Sequence, residues 1–211
     1  MATLATMRAR IADDLIRDDL TPQIASAITT AISVYQSERF LFNESRDVWF
    51  PTVASQEFYT AADNPHIPNL MAIDYAKCIA NPVVTDLSRR DPSELETLSQ
   101  SGTQGGEPYA YAYYDRKIRL YPIPTSNAWN IRLGAHITVA APATDTEANN
   151  PWMTDAELLI RSRAKYELAV HVLKDGDLES KMVMAEKREF DRLKGRTNKL
   201  VSGGRVRAMN L

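Results

Sequence analysis

Leu4, Met7, Ile11 and Leu15 recur at steps of three and four, with Arg8, Arg10, Asp13 and Asp14 mostly between them. That spacing lays one apolar stripe along a helix of 3.6 residues per turn, so the chain opens on an amphipathic helix. Asp18-Asp19-Leu20 interrupts the pattern, and Thr21-Pro22 restarts it, because proline at the first helical position gives up an N–H that has no helical partner there. The second helix carries Ile24, Ile28, Ala31 and Tyr35 on one stripe and is expected to end near Asn43. So short a turn predicts an antiparallel helical hairpin over residues 1–44.

From Ser45 the period shortens to two. Val48-Trp49-Phe50 and Glu57-Phe58-Tyr59-Thr60 are short aromatic and β-branched runs, and Met71, Ile73, Tyr75, Lys77 and Ile79 occupy alternate positions of a longer strand. Asp91-Pro92-Ser93-Glu94 supplies a capping residue, a proline and a reciprocal glutamate, which predicts a short helix over 91–100 with Leu95 and Leu98 inside. After the loop Ser101 to Gly106, Tyr109, Tyr111 and Tyr113 share one strand face and Ala110 and Ala112 the other. Asp115-Arg116 is a plausible two-residue turn into a strand with Ile118 and Leu120 on one face, closed by Pro122 and Pro124, which cannot donate to a ladder. Ile131, Leu133, Ala135, Ile137 and Val139 then alternate with Arg132, Gly134, His136 and Thr138, a half-buried strand whose second set, His136 included, should face solvent. Residues 45–150 therefore read as a β-rich insertion.

Helical spacing returns after the polar loop Pro142 to Pro151. Thr154-Asp155-Ala156-Glu157 has the form of a capping box and opens a helix through about Lys174, with Leu159, Tyr166, Ala169, Val170 and Leu173 on its buried side. Asp175-Gly176-Asp177 turns the chain into a last helix with Leu178, Met182, Phe190 and Leu193, ending near Lys194. Residues 151–195 form this closing pair. Residues 196–211 hold Arg196, Lys199, Arg205 and Arg207, no acid, and Ser202-Gly203-Gly204, so a flexible basic tail is expected. The order gives an α+β fold: a four-helix body, made of an N-terminal hairpin and a C-terminal pair, interrupted by the β-rich insertion and followed by the tail.

The 211 residues are 44% hydrophobic and 25% charged, as in ordinary soluble globular proteins, and a formal net charge of −2 gives no reason to expect whole-chain binding to nucleic acid or an acidic membrane. No stretch approaches the roughly 20 apolar residues of a membrane span, and charges interrupt the apolar pattern of the first 17 residues where a signal peptide would need none. Cys78 is the single cysteine, which removes intrachain disulfides and cysteine-built metal sites; it reads as a small buried packing residue before it reads as a nucleophile.

Chemistry is sparse. His66, His136 and His171 lie far apart and offer no metal-ligand spacing. The Gly102 to Gly106 loop lacks the lysine of a phosphate-binding loop, no Gly-x-Ser-x-Gly occurs, and Asp13-Asp14 and Asp18-Asp19 read as helix-surface charge and turn chemistry. No catalytic residue, cofactor, metal or small-molecule substrate is expected, and an enzyme of unrecognised type is the weakest alternative. Tyr109, Tyr111 and Tyr113 beside Arg116, Lys117 and Arg119 admit two readings. They mix rings and cations as a nucleic-acid platform does, or they are cross-strand packing partners on a sheet or at an interface, together with Tyr121.

Three places, in order, resemble the head–tail adaptor (head-completion or connector) proteins of tailed phages, most closely those of short-tailed phages. The first is Met7-Arg8-Ala9-Arg10-Ile11-Ala12-Asp13-Asp14-Leu15, Leu20-Thr21 and the helix ending Glu38-Arg39-Phe40-Leu41-Phe42. The second is Gly106-Glu107-Pro108-Tyr109 followed by Lys117-Ile118-Arg119-Leu120-Tyr121-Pro122-Ile123-Pro124. The third is Leu168-Ala169-Val170-His171-Val172-Leu173-Lys174-Asp175 in the closing helices. The resemblance implies a structural virion protein at the head–tail interface, assembled in the host bacterial cytoplasm as a dodecameric ring below the portal. It implies as partners the portal, a tail or nozzle protein and further copies of the chain, with genomic DNA passing through the channel unread. It also implies a C-terminal segment reaching along the portal, a task suited to Arg196, Lys199, Arg205, Arg207, Met209 and Leu211 if they order on an acidic groove; the plain alternative is a frayed terminus.

Overall fold

Thr3 starts the first helix with a reciprocal pair of bonds: its hydroxyl accepts the Thr6 N–H at 3.2 Å, and the Thr6 hydroxyl accepts the Thr3 N–H at 2.8 Å. The computed structural model describes residues 2–100 and 105–201. It runs α1 (Leu4–Leu15), α2 (Thr21–Tyr35), β1 (Glu44–Pro51), β2 (Phe58–Tyr59), β3 (Leu70–Ala80), β4 (Val83–Asp86), β5 (Ser88–Arg89) and α3 (Pro92–Gln100). Then come β6 (Ala110–Tyr114), β7 (Lys117–Tyr121), β8 (Asn130–Ile137), α4 (Pro151–Thr154), α5 (Glu157–Leu168) and α6 (Gly176–Val201), with one π-helical turn, Ala169–Leu173, after α5. The fold is α+β, and it divides into a helical unit, from residues up to Phe42 and from Val139 onward, and a β unit over Asn43–Thr138.

The helical unit buries Met7, Ile11, Ile24, Ile28, Ile32, Phe40, Trp152, Leu159, Ile160, Leu168 and Leu193 in one cluster. On one flank of α5, Arg161 and Lys165 both reach Asp14 of α1, at 2.5 and 2.9 Å. Burial pushes the Asp14 carboxyl up, but the hydrogen bonds and charges of those two cations outweigh it and hold the group below the ordinary carboxylate value. On another flank, Arg163 forks onto Glu167 and reaches Glu186 of α6 at 3.2 Å.

Three boundaries differ from the sequence reading. Helix α2 stops at Tyr35 rather than near Asn43, because Phe40 and Phe42 turn inward and stack at 5.2 Å beside Trp152. The capping residue of the C-terminal helices is Asn150, whose side chain accepts the Trp152 N–H at 3.1 Å ahead of Pro151; the Thr154 hydroxyl is spent on the Asn150 carbonyl. Helix α6 does not end at Lys194 but continues through Val201. Gly195 is tolerated inside it because the packed stripe carries on. Leu193 and Thr197 are buried, the Thr197 hydroxyl accepts the Leu41 N–H at 3.1 Å, and Lys199 in the last turn suits the negative end of the helix dipole.

In the β unit two four-stranded sheets, β1-β8-β3-β4 and β2-β7-β6-β5, share a core containing Val48, Phe50, Tyr59, Cys78, Tyr111, Ile118, Leu120, Ile131 and Leu133. Helix α3 covers the far side of the second sheet, where Leu95 packs with Ala110, Ala112 and Tyr121. The Asp115-Arg116 turn forms as expected, both residues at positive φ, 49° and 56°. Strand β3 departs from strict alternation. Its register against β8 shifts between Ile73 and Tyr75, so the core face passes from Ile73 to Ala76 and Cys78, leaving Tyr75, Lys77 and Ile79 on the outer face. The Tyr75 ring then lies over Gly134, where an added Cβ would meet it at 2.1 Å; the glycine makes room for the ring. His136, expected in solvent, is 5% exposed. Its Nδ1 lies 3.1 Å from Asn43 Oδ1 and its Nε2 3.3 Å from Asp74 Oδ2.

Candidate interaction surfaces

Asp19 is paired with Arg17 at 2.7 Å, and that hydrogen bond lowers its carboxyl to about 2. Burial, with Glu107 nearby, raises the Cys78 thiol to about 11, so it stays protonated at neutral pH and packs as an apolar group. His171 is largely exposed, 3.4 Å from Glu167 one turn earlier. Among the described residues no group of three or more His, Cys, Asp or Glu is set to hold a metal ion, and no helix is long and apolar enough to cross a membrane. Residues 101–104 of the glycine-rich loop lie outside the described residues.

The tyrosine hairpin proves to be mostly interior. Tyr111 and Tyr121 are each 3% exposed, and the Tyr113 hydroxyl donates to the Ile67 carbonyl at 2.9 Å. Arg119 is buried as an ion pair: its Nε–H donates to Glu57 Oε1 at 2.5 Å, its Nη2 donates to Ser99 Oγ at 2.9 Å, and its guanidinium lies 5.5 Å from the Phe58 ring centre. Tyr109 alone of the five is exposed, its ring set edge-on against Tyr121. A buried hairpin offers no stack of open ring faces to bases, so the nucleic-acid platform loses its physical basis. The reason is the second sheet's position between a core and a helix, which one strand's alternation cannot reveal.

The outer face of the first sheet is the open one. Register places Trp49, Arg132, Lys77 and Asp86 in one row across β1, β8, β3 and β4. Trp49 is 53% exposed, and the Lys77 amine reaches Asp86 at 3.3 Å. Val84, next to that row in β4, is also open. Tryptophan and arginine are the residues that protein interfaces enrich, and Trp49 and Arg132 stand side by side in this row. Sequence reasoning saw Trp49 only as part of an aromatic run; the signal available was that Val48 and Phe50 flank it, so a core on their side turns it out.

The helical unit has two further surfaces. Arg196, exposed on α6, and Lys199 in its last turn lie within the described residues, whereas Arg205, Arg207, Met209 and Leu211 lie outside them. Between α2, α5 and α6 runs an open groove of about 450 Å³, lined by the apolar Val34, Val183 and Phe190, the rings of Tyr35 and Tyr166, and the charged Glu38, Arg163, Glu186 and Lys187. At its base the Tyr35 hydroxyl donates to Glu186; burial and that carboxylate both push the phenol's pKa up, so it stays protonated and keeps the bond.

The family model described as SU10 adaptor protein matches residues 2–208. No curated protein matches the chain.

Proposed function

The chain belongs to the SU10 adaptor protein family, and on that premise we propose that identical copies form a ring below the portal, extend the DNA channel and dock the tail. Membership itself makes it a phage head–tail adaptor, a structural component of the virion that meets head or portal and tail components. The observation that carries the rest is the match over nearly the whole chain. It joins a helical unit with a basic C-terminal end to a β unit with an open sheet face. The ring is read as dodecameric, assembled in the host bacterial cytoplasm, with genomic DNA passing through without sequence-specific contact.

In this reading the two units carry different duties. The end of α6, with Arg196 and Lys199, leads the segment holding Arg205, Arg207, Met209 and Leu211 toward the portal, its cations meeting acidic groups and its apolar residues filling pockets. Tyr109 and the Trp49 face of the β unit serve the tail. Truncation after Lys199 tests the first duty. Binding of the truncated chain to purified portal, followed by titration, is expected to weaken about tenfold or more at physiological salt, with less loss at high salt as screening removes the electrostatic share. Unchanged affinity would remove the C-terminal segment from the portal contact.

A further inference from the structure

Ile16 stands where its side chain is least suited. It ends α1 with φ 53° and ψ 47° and is 89% exposed. Left-handed backbone crowds a β-branched side chain, and helices that end this way normally use glycine or asparagine. Among the described residues the other non-glycine residues at positive φ are Ser55, Asp115, Arg116, Asn149 and Lys174, none of them β-branched. Exposure means that burial within the chain does not offset the strain. An outlier of this kind points to a use outside the chain's own stability.

The groove between α2, α5 and α6 is the complementary feature. Arg161 and Lys165 of α5 reach α1, while Arg163 reaches α6; residues 161 and 163 project to nearly opposite sides of a helix. Ile16 and the groove therefore lie on different flanks of one unit. Charge is complementary as well. Arg17 is engaged with Asp19, and Asp13 and Asp18 remain exposed around Ile16, whereas in the groove lining Glu186 is paired with Arg163 and Glu38 with Lys194, and Lys187 stands exposed.

We propose that Ile16 of one copy seats in the α2–α5–α6 groove of the next copy, with Asp13 and Asp18 facing Lys187. Because the two patches differ, the contact is head-to-tail, the kind that closes into a ring. This rests on the ring reading above and names the residues that join its members.

The test compares the full-length wild type, Ile16→Asn, Lys187→Glu and the double variant Lys187→Glu with Asp18→Lys. Ring formation on purified portal is counted in micrographs over a range of adaptor concentrations. Ile16→Asn is expected to raise Tm, because the strain goes, and to shift half-maximal ring formation about tenfold upward, because an isoleucine contact is lost. Lys187→Glu should weaken rings and the double variant should restore them. Rings formed by Ile16→Asn at wild-type concentrations overturn the proposal while leaving the ring reading intact, and a Tm that does not rise overturns the strain argument. A wild type that forms no ring at any concentration overturns the ring reading itself.

Discussion

Trp152→Ala is expected to cost the helical unit about 3–5 kcal/mol, the range for emptying a large aromatic site in a packed core. The side chain is fully buried, its Nε1–H donates to the Val139 carbonyl at 3.0 Å, and Phe40 and Phe42 pack edge-on against it with centroids at 6.3 and 5.1 Å. The loss includes apolar burial, a cavity and the short bond to the Val139 carbonyl, which keeps only a 3.5 Å contact from Gln36 Nε2. Phe40 and Phe42 lie in the segment that leaves α2, so the damage reaches the Leu41–Thr197 bond that holds the last turns of α6. Urea unfolding should show a much lower midpoint, and portal binding should fall with it. Trp152→Phe keeps most of the ring volume and should lose far less. Equal losses from both variants would mean that the hydrogen bond, not the packing, carries the site.

The second large effect belongs to Glu57. The Arg119 side chain is 7% exposed and that of Glu57 25%, so removing the carboxylate strands a charge that has little access to water. Breaking a buried pair from one side costs about 3–5 kcal/mol, and partial exposure of Glu57 places Glu57→Ala near the lower end. Replacing both partners, as Glu57→Leu with Arg119→Met, should recover most of the loss, because neither charge then needs solvation. Denaturant midpoints for the two single variants and the double variant measure the coupling directly. A single variant within 1 kcal/mol of wild type would show that water reaches the guanidinium.

Local chemistry was legible where one residue decides the backbone. Thr21-Pro22 starts a helix, Asp91-Pro92 starts another, and Asp115-Arg116 turns a hairpin, each where its sequence indicated. The limits came from neighbours distant in sequence. Gly195 reads as a stop, yet Leu193 and Thr197 continue the packed stripe and carry α6 through it. Alternation along β3 assigns Tyr75, Lys77 and Ile79 to one face, but a register shift against β8 decides which face is inside. His136 reads as exposed until Asn43 and Asp74 are brought to it.

The candidate sites were legible unevenly. The basic end of the chain is visible as composition, and the structure carries it as helix as far as Val201. The aromatic hairpin is ambiguous in sequence because tyrosine is common both in cores and at interfaces; burial of Tyr111 and Tyr121 separates the two. The exposed roles of Trp49 and Ile16 are not legible in sequence for the opposite reason. Each is a single residue whose meaning depends on its exposure and, for Ile16, on its backbone conformation.

Micrographs of the purified chain mixed with its portal, beside the portal alone, test the central claim most directly. The account predicts a second ring seated beneath the portal, present only when both proteins are mixed. Portal rings that gain no density even with the chain in large excess would contradict it.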